Sequence, residues 1–528
     1  MTLTASPITS AAVDRAAFAD LADRPEENLL TTTDHRTVGS LIIGAALLLG
    51  TLGSALGAFV SHRVDAVVGD RLPRSGWLGG SPNGGFSFAR LFLAHGVGMV
   101  FLVVVPLFLG LATIAVPAQI GSARMAFPRL QAFVLWGYIS AAALYIAAFS
   151  IGDGPPGIDF FGGSPATAAN PANRATELQI AALMLVGVVI VLASVNIVAT
   201  VLTYRRPGLD MAGLRPFAWS SFVTAGLSLI TVPVFLAGML LLAIDQHFGG
   251  GLFNGAAGQW IWVHGIWILT RPDAFLLLLP ALGIATDIVA SRAKQGLLGG
   301  PAGLHLLTGF GVLSLLAWTG GADRITSVLV PTASIQTGLI AVPVALLVLL
   351  WLGSLAKGAK PDLRLLFVAG FLLLLALCAV NVLVAAVRGV DQEQAKTVWV
   401  VAQSRALLIG APLIVLVGGV LHFAPAGLGR SLMPAPAALG GLAVIGGTLI
   451  GSVALAGLSY QSSFDRANNA LSIIGLIGGL VAAGGLALVL LNALSSALQP
   501  GGRAFESDHD AANDVAANHG NDTTEVAH

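Results

Sequence analysis

Ten histidines are spread along the 528-residue chain. Four of them, His95, His264, His305 and His422, fall in or beside long apolar runs, where an imidazole can serve as a ligand to iron or copper. Their placement argues against a shared metal centre. His305 begins a predicted helix, His422 ends one, and scattered imidazoles near span ends make neither a tetrahedral nor an axial ligand set. Packing and interfacial hydrogen bonds are the expected roles for His264, His305 and His422. His95, read from the residues alone, is an interhelical hydrogen-bonding group. His509, His519 and His528 lie in an Asp/Asn/Ala-rich C-terminal stretch. The single cysteine, Cys378, excludes an internal disulfide framework and any cysteine-based metal cluster. Charges inside apolar runs are the other chemical signal: Arg271, Asp273 and Arg405. A charge in hydrocarbon is costly unless it is paired, hydrated or able to reach the interface. Arg271 and Asp273 stand two positions apart on one helix and do not face each other, so each needs a partner across the bundle or solvent near a helix end.

The elements that position these residues are set by composition. Hydrophobic residues make up 56% of the chain and charged residues 10%, against roughly 25% charged in ordinary soluble domains. Mean hydropathy is +0.86. So few charges cannot cover a water-facing surface of this size, which argues against a soluble enzyme, a secreted disulfide scaffold or a nucleic-acid binder. Zero formal net charge gives no sign of a polyanionic partner. An all-α polytopic membrane protein is expected, with apolar runs near 38–60, 88–114, 129–151, 176–201, 217–245, 260–290, 301–320, 327–353, 360–387, 396–421, 433–458 and 471–494. That is twelve predicted spans, with 301–353 the hardest stretch to divide. Arg and Lys are richer in the connections after even-numbered spans (Arg124, Arg129, Arg205, Arg206, Arg215, Arg292, Lys294) than in the others, which places both termini in the cytoplasm. The expected organisation is a cytoplasmic segment 1–37, a transmembrane domain 38–494 and a disordered cytoplasmic tail 495–528. Acidic residues from Asp14 to Glu27 precede any apolar run, unlike a secretory signal. Loops 61–87 and 152–174 are Gly/Pro-rich surface connections. There is no phosphate-binding or dinucleotide fingerprint, and the many glycines sit in apolar helices, where small residues let backbones approach.

Several segments resemble subunit I of the heme–copper oxidases, the cytochrome c oxidase family. They are TTTDHRTVG (Thr31–Gly39), AHGVGM (Ala94–Met99), the stretch Val116–Phe133, Ser194–Met211, Pro233–Gly249, HGIWILTRPDAFLLLLPALG (His264–Gly283), Ile340–Trp351 and KTVWVVAQSR (Lys396–Arg405). They occur in family order across nearly the whole chain. The resemblance implies a twelve-helix bundle holding two hemes and a copper through six histidines, beside other membrane subunits of a respiratory complex.

Carried over residue by residue, that ligand set is mostly lost. His95 stands at the first low-spin heme ligand. The opposite ligand position is Arg405, and the high-spin heme ligand position is Gln403. The copper-ligand histidine of helix six falls on Arg271, and the helix-seven pair on Gly320 and Gly321. The helix-six tyrosine position is Phe275, which has no hydroxyl. Arginine stays protonated and offers no lone pair to a metal. The proton paths have changed as well: the acidic entry position is Arg124, the channel asparagine Thr113 and the channel lysine Leu347, while the acidic residue after the helix-six proline persists as Asp273. GLSYQS (Gly457–Ser462) lies where the family clamps heme propionates, and it holds no arginine. The expectation is therefore no copper and no catalytic residues, with His95 the one retained heme-ligand position. Arg271 and Arg405 are expected to fill or hydrate the former cofactor space, or to line an anion-binding cavity; the plainer alternative has both reaching outward and binding nothing. Three functions compete: a non-catalytic subunit with a structural or assembly role, a working terminal oxidase that passes electrons to oxygen and translocates protons, and a transporter or small-anion binding protein.

Overall fold

Apolar sequence without water to satisfy the backbone leaves the chain one solution, helices whose hydrogen bonds close within each segment. The computed structural model describes residues 30–62, 95–151, 174–253, 257–258, 261, 276–319, 332–388, 402, 405–429, 431–458 and 466–498. Among them the elements are α1 (His35–His62), α2 (Val105–Ile120), α3 (Pro128–Ser150), α4 (Arg174–Thr203), α5 (Pro216–Phe248), α6 (Leu278–Arg292), α7 (Ala302–Thr319), α8 (Thr332–Ala356), α9 (Leu363–Arg388), α10 (Ala411–Leu428), α11 (Pro434–Leu458) and α12 (Arg466–Leu498). Two π-helical turns, Met99–Val104 and Arg405–Gly410, lead directly into α2 and α10. The fold is an all-α polytopic membrane bundle.

Ten helices among the described residues are long and apolar enough to cross a bilayer, not the twelve expected. The shortfall lies at the predicted sixth and seventh spans. Only the second half of 260–290 is described, as the 15-residue α6, and the described apolar part of α7, Ala302–Leu316, is shorter than the roughly 20 residues a crossing needs. Helix ends also move. The second span runs to Ile120 instead of stopping near 114, because Pro117 lies close to the end of α2 and Gly121 (φ 72°) terminates it in the left-handed conformation. The tenth runs to Leu428, where Gly429 (φ 69°) does the same after Pro425. At the start of α1, Asp34 accepts hydrogen bonds from the Thr37 amide (3.0 Å) and hydroxyl (2.8 Å), an N-cap.

The two spans carrying His95 and Arg405 are the most enclosed. The apolar window of His95–Ile120 is wholly buried and that of Arg405–Leu428 is 78% buried, while no other exceeds 61%. Phe108, Phe217 and Phe423 tie α2, α5 and α10 together, with ring centroids 6.4 and 5.2 Å apart. Outer helices turn large aliphatics such as Leu52, Ile146, Leu373 and Leu491 outward, as a lipid-facing surface requires. On one side α11 and α12 pack backbone to backbone. A Cβ added at Gly478 would lie 2.6 Å from the Gly451 amide nitrogen, and one at Gly479 would lie 2.9 Å from Ala58 Cα of α1.

Candidate functional site

Where α1 meets the second span, Gly57 leaves space that the imidazole of His95 takes up; a Cβ on Gly57 would lie 2.7 Å from His95 Nε2. His95 is buried, the Gly53 carbonyl accepts a hydrogen bond from the ring, and Nδ1 has no partner among the described residues. Across from it, Arg405 opens the second π-helical turn. Both side chains line one cavity of about 110 Å³, together with Ser54, Met99, Thr448 and Ser452. Each π-helical turn thus sits beside one of the two facing side chains, an irregularity common at functional sites. Sequence periodicity carries no signal for such turns.

A porphyrin does not fit here. Pockets for organic ligands run roughly 300–1,000 Å³, several times this cavity, which is lined by glycines of α1, α11 and α12. The partner facing His95 is a guanidinium with no lone pair to donate. Water or a small anion matches the space and the charge. Among the described residues no group of three or more His, Cys, Asp and Glu side chains could hold a metal. The altered positions Arg271, Phe275, Gly320, Gly321 and Gln403, the retained Asp273, and His264 lie outside the described residues, as do the tail histidines, the two long loops and most of Gly457–Ser462. The structure therefore brings Arg405 to His95, and the pairing of Arg405 with Arg271 is not part of what it describes.

The proton-path positions are built into different machinery. Arg124 is exposed at the turn after α2, its guanidinium 5.5 Å from the Tyr204 ring centroid. Thr113 is buried and donates to the Leu109 carbonyl (2.7 Å) while accepting from Gln131 Nε2 (2.8 Å). Asn196 Nδ2 donates in turn to Gln131 Oε1 (3.0 Å), and the Phe127 amide donates to Asn196 Oδ1 (2.9 Å). These amides and the hydroxyl satisfy one another and carry no titratable group, so they join α2, α3 and α4 as a static polar seam. Leu347 is buried on α8, and one turn further on Trp351 Nε1 donates to Thr286 Oγ1 (3.2 Å).

A second polar site was not foreseen. Asp287, fully buried on α6, accepts hydrogen bonds from Gln119 and from Arg215 Nε (3.1 Å), and His422 Nε2 lies 3.9 Å from it. On the other side of that imidazole, Nδ1 is 3.3 Å from Arg364 Nη1. Arg364 and Arg292 both pair with Asp362, at 2.7 and 3.0 Å. This ionic cluster clasps α2, α5, α6, α9 and α10 at one end of the bundle. Asp287 within an apolar run was the available signal. His305, by contrast, only meets the Pro301 carbonyl at 2.8 Å.

A family model described as cytochrome c and quinol oxidase polypeptide I matches residues 37–489. A putative cytochrome c oxidase subunit 1-beta of Streptomyces coelicolor is 27% identical over 405 residues, covering 76% of this chain and 69% of its own length. The cytochrome c oxidase subunit 1 of Corynebacterium glutamicum is 26% identical over 407 residues, covering 76% and 68%. A cryo-EM structure of a heme–copper terminal oxidase dimer superimposes with a TM-score of 0.59 at 15% identity, covering 89% of this chain and 85% of that one. At that identity the likeness is one of fold alone.

Proposed function

This chain belongs to the cytochrome c and quinol oxidase polypeptide I family, matched over residues 37–489, and within that family we propose that it is a non-catalytic member with a structural or assembly role in a respiratory membrane complex. One observation carries this reading: the position facing His95 is Arg405, across a cavity of about 110 Å³. Electron transfer to oxygen depends on cofactors that the protein must bind and orient, and this arrangement does not hold the first of them. The oxidase reading draws support from the curated relatives' names, but it meets the same obstacle. We further propose that both termini lie on the cytoplasmic side of a bacterial cell membrane; the bacterial relatives and the Arg/Lys bias support this. The segments 1–37 and 495–528 then flank the transmembrane domain 38–494.

A second reading has an observation of its own. A half-buried guanidinium in a cavity lined by Ser54, Thr448 and Ser452 suits a small anion, bound within the bundle. Affinity purification from native membranes separates the readings. The structural role predicts that heme-bearing oxidase subunits co-purify and that their assembly falls when this chain is deleted. Purification of the chain alone, with assembly intact in the deletion strain, would contradict it.

A further inference from the structure

A second cavity, of about 290 Å³, lies between α1, α2, α10 and α12, and its character is opposite to the first. Its walls are aliphatic and aromatic, Leu47, Leu111, Phe423 and Leu490 among them; Thr37 and Ser40 supply its polar side chains, both close to the start of α1. Three lining helices reach the same face of the bundle there. Thr37 lies in the first turn of α1, Leu428 closes α10, and Ala497 is one residue from the end of α12. From Thr37 the cavity follows α1 inward to Leu47. At 1.5 Å rise per residue that is about 15 Å, half of the ~30 Å hydrocarbon core and thus the depth of one leaflet.

The cavity also opens sideways. Leu41 and Leu494 line it and are 36% and 48% exposed, so its outer wall borders lipid. Gly44 marks a void within it, because a Cβ built there meets no atom within 4 Å. A dry void forfeits the dispersion contacts of its lining, and nothing in this apolar lining would hold water below the mouth. We propose that this cavity seats one acyl chain of a phospholipid from the leaflet at the face where α1 begins and α12 ends. The polar mouth faces the headgroup region, the apolar shaft takes the chain, and the partly exposed wall at Leu41 and Leu494 gives entry from the bilayer. This proposal is independent of the functional reading above.

The test uses the full chain, purified in detergent and washed extensively, with retained lipid identified and quantified by native mass spectrometry. The wild type is expected to keep a single phospholipid per chain. Gly44→Phe, whose Cβ enters open space in the cavity wall, and Ala497→Trp, which blocks the exposed mouth, are each expected to lose it, Ala497→Trp while melting at the wild-type temperature. Gly44→Ala is expected to retain it. Absence of bound phospholipid from the wild type, equal retention by both blocking variants, or occupation by a quinone, a porphyrin or detergent alone would overturn the proposal. If Gly44→Phe fails to fold, Ala497→Trp decides the question, because its site is on the surface.

Discussion

Arg405 and an imidazole at the same position would differ in more than charge, since only the imidazole has a lone pair for iron. Restoring the residue type is nevertheless not expected to restore the site. Arg405→His, reconstituted with heme, is predicted to show no six-coordinate low-spin spectrum, because His95 is already wedged against Gly57 and the space beside it is about 110 Å³. A bis-imidazole spectrum from that variant would show that the walls can open. Asp287 makes the opposite case, a buried charge whose partners are all in place. Its replacement by alanine leaves Arg215 and Gln119 without their acceptor. The Arg215 side chain is about half exposed and can turn to water, so the loss is that of charge-assisted hydrogen bonds, about 1.5–3 kcal/mol, and Asp287→Ala is predicted to lower the unfolding midpoint in detergent by a few degrees. An unchanged midpoint would remove the cluster from the account of stability.

At the scale of elements, the closest approach is between α11 and α12. Gly478→Leu must push the helices apart, with an expected loss of about 1–3 kcal/mol or more. Gly446→Ala, where a Cβ meets nothing, should be neutral or stabilising by about 0.5–1 kcal/mol. Thermal unfolding of the two variants side by side checks both. The junction of α6 and α9 is governed by charge. Burial pushes the Asp362 carboxyl up, but hydrogen bonds from Arg364 and the charges of Arg364 and Arg292 outweigh it and hold the group at about 2, below the ordinary 3.8. A carboxylate depressed in the folded state stabilises fully above its unfolded value and loses that contribution as pH falls from 3.8 through about 2. The loss is on the order of 2 kcal/mol. The melting temperature of the wild type should therefore fall between pH 5 and pH 2.5 by more than that of Asp362→Asn; parallel curves would contradict the assignment.

For the whole molecule, the all-helical membrane architecture was legible because hydropathy alone dictates it, and the helix ends moved where Pro117 and Pro425 are tolerated in a last turn before a left-handed glycine. The pairing of His95 with the Arg405 position was legible through family order. The ionic cluster at Asp287 was not, because its members come from five separated segments and only packing unites them. The π-helical turns and the glycine seam escaped for a similar reason, since both depend on how neighbouring helices meet. The central claim is that this bundle has kept an oxidase fold while losing the ligand set of its first heme. The most direct measurement is the optical spectrum of the purified, detergent-solubilised wild-type protein, oxidised and dithionite-reduced, with heme quantified per chain. The account predicts no Soret band and no reduced alpha band above background. A stoichiometric heme complement with oxygen consumption would contradict it.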